Sequence, residues 1–221
     1  MDAELSLSLA ATTVIALGER ALYWPAGQAL LIADLHLGKA DVFRRAGIAI
    51  PRGGTAQDLR RLQALLARFD CQQLWVLGDI VHGPIRAADW LTQWQDWRAA
   101  HAHLDVHLIR GNHDRAAAID ALQVQVHDTA QTLGPFRLAH EPGPVTAADD
   151  QDSTHLLCGH LHPQASLAGL RRRWPAFWLR PGMTVLPAFS HFTAGITPPM
   201  QRGDQLLACV EGAIVPLPLA R

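Results

Sequence analysis

Lysine is almost missing from this 221-residue chain: Lys39 is the only one, and arginine supplies the rest of the 19 basic side chains. Against 20 acidic residues these leave a formal net charge of -1, so no global field draws the protein onto a polyanion and any nucleic-acid contact must be local. Cysteine is scarce too. Cys71, Cys158 and Cys209 lie far apart with no C-x-x-C pair, which argues against a disulfide framework and thiolate zinc sites, and fits a reducing cytoplasm. No run of about eighteen apolar residues occurs, and the start Met-Asp-Ala-Glu is acidic where a secretory signal is basic, so a soluble cytoplasmic protein that does not enter the membrane is expected. Charged residues are only 18% of the chain and hydrophobic ones 49%, which excludes global disorder and supplies a large core.

No repeat or long linker interrupts the chain, so residues 1–221 are expected to form a single domain, with a polar loop at 147–152. Short apolar runs bounded by glycine or polar residues predict buried strands at Ala29–Ala33, Leu74–Leu77, Val106–Ile109, Phe136–Ala139 and Leu156–Cys158. Helical periodicity lies between the first three: Thr55–Arg68 with Leu59, Leu62, Leu65 and Leu66 on one face, and Ile85–Ala102 with Trp90, Leu91, Trp94 and Trp97. The last third predicts consecutive short strands at Ser166–Leu170, Pro175–Leu179, Thr184–Pro187, Gln205–Glu211 and Ala213–Leu217. An α/β architecture follows, with a second sheet packed on the first.

Histidine is abundant, with twelve in the chain. Each of the first five strands runs straight into metal-ligand residue types: Asp34-Leu-His36, Gly78-Asp79, Gly111-Asn112-His113-Asp114, His140, and Gly159-His160-Leu-His162. In an α/β sheet the carboxyl ends of parallel strands converge on one edge, so residues distant in sequence meet there. Residues two apart in an extended chain point to the same side, which would let Asp34 and His36, and His160 and His162, face one pocket. The glycines before Asp79, Asn112 and His160 allow a sharp exit from the strand and close approach to an ion. Seven ligands, Asp34, His36, Asp79, Asn112, His140, His160 and His162, exceed one tetrahedral site and suit two ions sharing a carboxylate, with Asp79 as the bridging choice.

The blocks DLH, GDIVHG, GNHD, a lone histidine and GHLH, in that order over residues 34–162, resemble the calcineurin-like metallophosphoesterases. The resemblance implies a four-layer αββα sandwich of two mixed β-sheets flanked by helices. It implies one metal on Asp34, His36, Asp79 and His162, a second on Asp79, Asn112, His140 and His160, and His113 as the catalytic acid. More narrowly, ADLHLGK with RRAGIAIPRG, and PAFWLRPG with LPAFSHFTAG, are similar to the bacterial ligase-associated DNA-damage-response endonucleases. That similarity implies DNA as substrate, Mn²⁺ as the supporting metal and a DNA-repair ligase or helicase as partner. His82 departs from the broad pattern, where many members carry Asp or Asn.

The chemistry also follows from the residue types. Two divalent ions bring four positive charges, of which Asp34 and Asp79 neutralise about two, leaving a cationic cleft suited to a phosphate ester. Water held between the ions is acidified toward a hydroxide for in-line attack, a bound ion lowering its pKa from 15.7 to about 7. His113 can protonate the leaving oxygen or stabilise the transition state, and Asp114 is expected to orient its ring, help worth about 10² to 10⁴ in rate. The expected activity is thus metal-dependent phosphoester hydrolysis, with a DNA phosphodiesterase preferred. A small-molecule phosphatase or nucleotide pyrophosphatase is the rival and a non-catalytic binding scaffold a distant third; Fe²⁺ or Zn²⁺ also suit the mixed oxygen and nitrogen ligands.

Other features read more plainly. His101, His103, His107, His127, His155 and His191 lie outside the ligand blocks and are expected to be exposed or hydrogen-bonded, while Trp90, Trp94 and Trp97 form a core-facing helix stripe. Arg44 and Arg45, beside Phe43, fit either contact with substrate phosphates or a solvated helix turn. Arg171-Arg172-Arg173-Trp174 fits a basic exposed hairpin tip or a single-strand contact.

Overall fold

A computed structural model of the chain describes residues 2–51, 53–83, 85, 88–116, 119–143, 154–191 and 193–220; the polar stretch expected at 147–152 lies outside them. The first sheet begins with an antiparallel meander, β1 (Glu4–Leu9), β2 (Thr12–Leu17) and β3 (Ala21–Trp24). The sequence reading passed over these strands. The β1–β2 turn is Ala10-Ala11 with φ of 45° and 57°, a two-residue hairpin turn of the kind that normally announces itself by Asn-Gly. Strand β4 (Ala29–Ile32) is antiparallel to β3 and parallel to β5 (Gln73–Leu77), and β6 (Asp105–Ile109) and β7 (Gln125–His127) continue the parallel half. The result is a mixed seven-stranded sheet in chain order.

The crossovers carry α1 (Lys39–Arg45), α2 (Gly54–Arg68) and α3 (Asp89–Ala100). Helix α3 starts four residues later than the expected Ile85 and ends two residues before Ala102. Leu59, Leu62 and Leu65 of α2 and Trp90, Trp94 and Trp97 of α3 are buried against one face of the seven-stranded sheet, with Leu30, Ile32, Leu74, Val76 and Leu108. The tryptophan stripe is therefore core. Trp94 is fully buried and its indole N–H donates to the Leu122 carbonyl at 2.9 Å, which removes the cost of an unpaired buried donor.

The second sheet takes the order β15-β14-β12-β13-β10-β9-β8 with β11 added on β12. Its strands are β8 (Gln131–Leu133), β9 (Phe136–Leu138), β10 (His155–Cys158), β11 (Gln164–Ser166), β12 (Arg173–Arg180), β13 (Met183–Val185), β14 (Gln205–Val210) and β15 (Ala213–Pro216). The strand expected at Ser166–Leu170 ends at Ser166; its residues pair with β12 further upstream. Strands β9, β10 and β13 are mutually parallel, so this sheet is mixed as well. Leu22, Leu31, Leu77, Phe136, Leu157, Phe177, Leu186 and Leu207 fill the space between the two sheets. Two mixed sheets flanked by helices are thus present. On the outer face of the eight-stranded sheet, Leu161, Leu167, Val215 and Leu217 pack against Trp178, Val185 and Leu206.

His155 of β10 is buried, and a ring nitrogen lies 2.9 Å from Thr184 Oγ1. Burial pushes its pKa down from 6.5 to about 4. Between those two values the unfolded chain binds a proton that the folded chain does not, so stability falls as pH drops through this window, by at most about 3 kcal/mol. Urea unfolding in EDTA is expected to show this acid-side loss, and His155→Gln to flatten it; an equal slope in both proteins would refute it.

Candidate metal centre

All of the expected ligand blocks lie at one edge of the sandwich, because β4, β5 and β6 of one sheet and β9 and β10 of the other end there. The loops after β4 and β5 run side by side: Asp34 N–H donates to the Gly78 carbonyl at 3.1 Å, His36 N–H to the Asp79 carbonyl at 2.8 Å and Leu37 N–H to the Ile80 carbonyl at 2.8 Å. The two sheets are joined at the same place by a bridge between Ala33 and Ala188.

Asp34, His36, Asp79, His160 and His162 all adopt left-handed backbone, with φ of 55°, 50°, 50°, 69° and 48°. Such values are uncommon outside glycine and each costs of the order of 1–3 kcal/mol, a cost that clusters at functional sites. Here the structure corrects the sequence reading. Asp34 and His36 come together through left-handed turns and not by the alternation of an extended strand; His160 and His162, also left-handed, turn to different partners, His140 and Asp34.

The glycines also have a role beyond the sharp exit from the strand that was expected of them. A Cβ on Gly78 would lie 1.9 Å from His140 Nδ1, and one on Gly111 would lie 2.2 Å from Asp79 Oδ1. These positions are left without side chains so that a ligand from another strand can pass, and Gly78 in addition has φ of 83°.

Two sets of ligand atoms gather within 4.8 Å: Asp34, His36 and His162, and Asp34, Asp79 and His140. Asp34 is common to both. His162 Nε2 stands 3.2 Å from Asp34 Oδ1, and His140 Nε2 3.7 Å from Asp79 Oδ1. Asn112 Oδ1 and His160 Nδ1 close on His140 Nε2 at 3.0 and 3.1 Å. All seven expected ligands are therefore brought to one cleft. The two carboxylates are also held by backbone amides, His160 N–H donating to Asp34 Oδ2 at 3.0 Å and His113 N–H to Asp79 Oδ1 at 2.9 Å.

The donor atoms fit metal ions. Asp34 Oδ1, His36 Nε2 and His162 Nε2 are buried without a hydrogen-bond partner, an arrangement that costs free energy unless a cation satisfies it. His140 Nδ1–H donates to the Leu77 carbonyl at 3.0 Å and His162 Nδ1–H to the Ala194 carbonyl at 2.9 Å. In the neutral ring each Nε2 is then a lone pair facing the carboxylates, which is how metal-ligating imidazoles are oriented. Burial pushes the His36 pKa far down and raises that of Asp79; the neighbouring Asp34 carboxylate lifts that of His162 against its burial.

His113 stands over this cluster with its ring partly exposed and Nε2 3.9 Å from Asp79 Oδ2. Asp114 does not orient it. Its carboxylate is fully buried and accepts the backbone N–H of Val81 at 3.2 Å and of Gly111 at 2.9 Å, so it ties the loop after β5 to the loop after β6. Short loops with buried amides need such an acceptor, and Asp114 meets that need. His82 packs against the rings of His36 and His113 at centroid distances of 5.0 and 4.5 Å, and burial lowers its pKa to about 4. At neutral pH this ring is therefore uncharged.

Arg44 is engaged by Asp41, one turn earlier in α1, and lines a cavity of about 350 Å³ with Thr55, Asp89 and Trp90; Arg45 is exposed. No residue of the metal cluster lines that cavity. The residue that sequence reasoning missed is Lys39. It is buried, donates from Nζ to Thr193 Oγ1 at 3.4 Å, and feels the charges of Asp34 and Asp79, which offset part of the desolvation that lowers its pKa. Its being the only lysine, three residues after His36, was the available signal. The unassigned histidines stay apart from the cluster: His107 and His127 stack on Trp75, and His191 contacts Asp58.

Comparison with known proteins adds four findings. Residues 28–181 match the family model for calcineurin-like phosphoesterases. The crystal structure of the Pseudomonas putida nuclease MPE is similar over 97% of this chain and 100% of that one, at 38% identity and a TM-score of 0.83. Yfce, a phosphoesterase from E. coli, aligns over 87% of this chain and 99% of its own at 18% identity and a TM-score of 0.45, and no curated protein matches.

Proposed function

This chain belongs to the calcineurin-like phosphoesterases, and from that we propose that its 221 residues act as one catalytic domain, a DNA phosphodiesterase in cytoplasmic DNA repair. That it is a metal-dependent phosphoester hydrolase follows from the family and from the nuclease similar to it over nearly its whole length. The observation that carries the metal assignment is the convergence of the unpartnered Asp34 Oδ1, His36 Nε2 and His162 Nε2. We assign one ion to Asp34, His36, Asp79 and His162 and the other to Asp79, Asn112, His140 and His160, with Asp34 placed to contribute to both. Mn²⁺ is our choice of ion by resemblance to the endonucleases, since mixed oxygen and imidazole ligands admit Mn²⁺, Fe²⁺ and Zn²⁺ alike.

When bound, the ions supply Lewis acidity, which neutralises phosphate charge and activates water for in-line attack. The remaining work falls to the chain. Asp34 and Asp79 arrive pre-oriented by the amides of His160 and His113, so little reorganisation is needed on binding. His113, partly exposed on the cluster's rim, delivers a proton to the leaving oxygen. Lys39 has ammonium protons beyond the one shared with Thr193 and holds a non-bridging phosphoryl oxygen. Lys39→Met is expected to lower kcat/KM by roughly 10- to 100-fold, mostly through KM, the worth of one charge-assisted hydrogen bond. Steady-state kinetics on a small diester measure it, and an unchanged KM would remove Lys39 from the substrate site.

The decisive experiment is nicking of supercoiled plasmid by the Mn²⁺-loaded protein beside Asp79→Asn. Nicking by the wild type alone is expected. No nicking with metal confirmed bound would leave a dinuclear hydrolase of small phosphoesters, and an inability to bind Mn²⁺ would leave a non-catalytic scaffold.

A further inference from the structure

A second cationic pocket lies beside the metal centre. A cavity of about 240 Å³ is lined by Arg20, Arg61, Arg172, Trp174, His191 and Cys209, with the Gly18–Gly212 bridge between the sheets at its margin. One residue of backbone links it to the candidate metal site: Arg20 Nη1 donates to the Ser190 carbonyl at 2.9 Å, and Ser190 N–H donates to the Asp34 carbonyl at 3.3 Å. The segment continues to Thr193, which meets Lys39, and Ala194, which meets His162.

Three guanidinium groups face a space that also contains donors without acceptors. Arg61 Nε and Trp174 Nε1 are buried with no hydrogen-bond partner. Arg61 is otherwise held through Nη2 by Asp58 at 3.1 Å and the Phe189 carbonyl and through Nη1 by the His191 ring at 2.8 Å, so its orientation is set and Nε is the donor left over. Arg172 is exposed and lies over the Trp174 ring at 4.2 Å. Two acids line the cavity as well, but Glu19 is engaged by Arg68 at 3.1 Å and Glu211 is exposed. Orphaned N–H donors beside planar guanidinium forks call for an oxyanion with several acceptor oxygens, which is a phosphate.

Resting on the nuclease reading above, we propose that the Arg20–Arg61–Arg172 pocket binds a second phosphate of a single-stranded DNA substrate whose scissile phosphate lies at the metal centre. A substrate with one phosphate cannot use both places. The pocket therefore distinguishes polymers from small esters, and it accounts for local DNA binding by a protein of net charge -1.

The test is binding of a fluorescent single-stranded oligonucleotide by the full chain in EDTA, where no cleavage intervenes, as a function of salt. Arg172→Gln and Arg20→Gln are each expected to weaken binding roughly ten-fold and to reduce the salt slope by about 0.7, the value of one single-strand phosphate contact. Arg60→Gln, an exposed charge on α2 outside this pocket, controls for net charge. Equal losses in all three variants, or none in the pocket variants, would overturn the proposal, as would absence of binding by the wild type. Plasmid nicking by the wild type then decides separately whether the nuclease reading stands. Arg172→Gln keeps the test valid if Arg20→Gln misfolds.

Discussion

Asparagine at position 34 is expected to abolish loading of both metal sites, with activity falling at least roughly 10³-fold. Asp34 is the carboxylate common to the two ligand sets, and its Oδ1 is buried with no other partner. Asparagine tolerates left-handed backbone better than other residues do, so the turn at φ 55° survives, and its carbonyl oxygen can still accept the His160 N–H. What is lost is the negative charge and one coordinating oxygen. The change is therefore expected to leave apo stability close to that of the wild type while removing the rise in Tm on adding Mn²⁺. Asp79→Asn is expected to weaken both sites as well, since Asp79 is assigned to both ions, although only Asp34 falls in both clusters of ligand atoms. Metal analysis after gel filtration, beside thermal melts with and without Mn²⁺, measures all of this. Two ions retained by Asp34→Asn would show that the ligand assignment is wrong.

The second large effect concerns His113. His113→Ala is expected to keep both ions and lose about 10² to 10⁴ in kcat, the usual worth of a positioned proton donor. The separation is possible because His113 supports Asp79 through its backbone amide, at 2.9 Å from Oδ1, which alanine preserves. Its ring is partly exposed and contacts His36 and His82 by their edges and faces, so removing it does not empty a core position. A leaving-group series sharpens the test. With a nitrophenolate, which needs no proton, the variant's deficit should shrink toward nothing; an undiminished deficit would move His113 from proton donor to charge stabiliser, and loss of an ion would place it among the ligands.

The strands of the parallel halves were legible because burial on both faces leaves short apolar runs, a form that Ala29–Ile32 has throughout, Gln73–Leu77 has after its first residue and Asp105–Ile109 approaches at Val106, Leu108 and Ile109. The first three strands were not. Glu4–Leu9 alternates in burial, yet its hairpin turns on Ala10-Ala11, which carries no turn signal. The seven candidate ligands were legible as types at strand ends. Their geometry was not, since the backbone at Asp34, His36, His160 and His162 is left-handed where the spacing suggested an extended chain with alternating sides. Asp114 shows the same limit: its place beside His113 suggested a ring contact, whereas both of its oxygens serve backbone amides of the surrounding loops.

By itself the sequence determined the α/β architecture and the chemical character of the cleft, because strand ends and ligand types are local properties of short segments. Tertiary structure decided the rest. Gly78 is a glycine because His140, sixty-two residues later, passes through its Cβ position; Lys39 faces Thr193, and Arg20 reaches Ser190, across separations of 154 and 170 residues. Contacts of that range arise only when two sheets close on each other, so no pattern within a window of sequence can encode them.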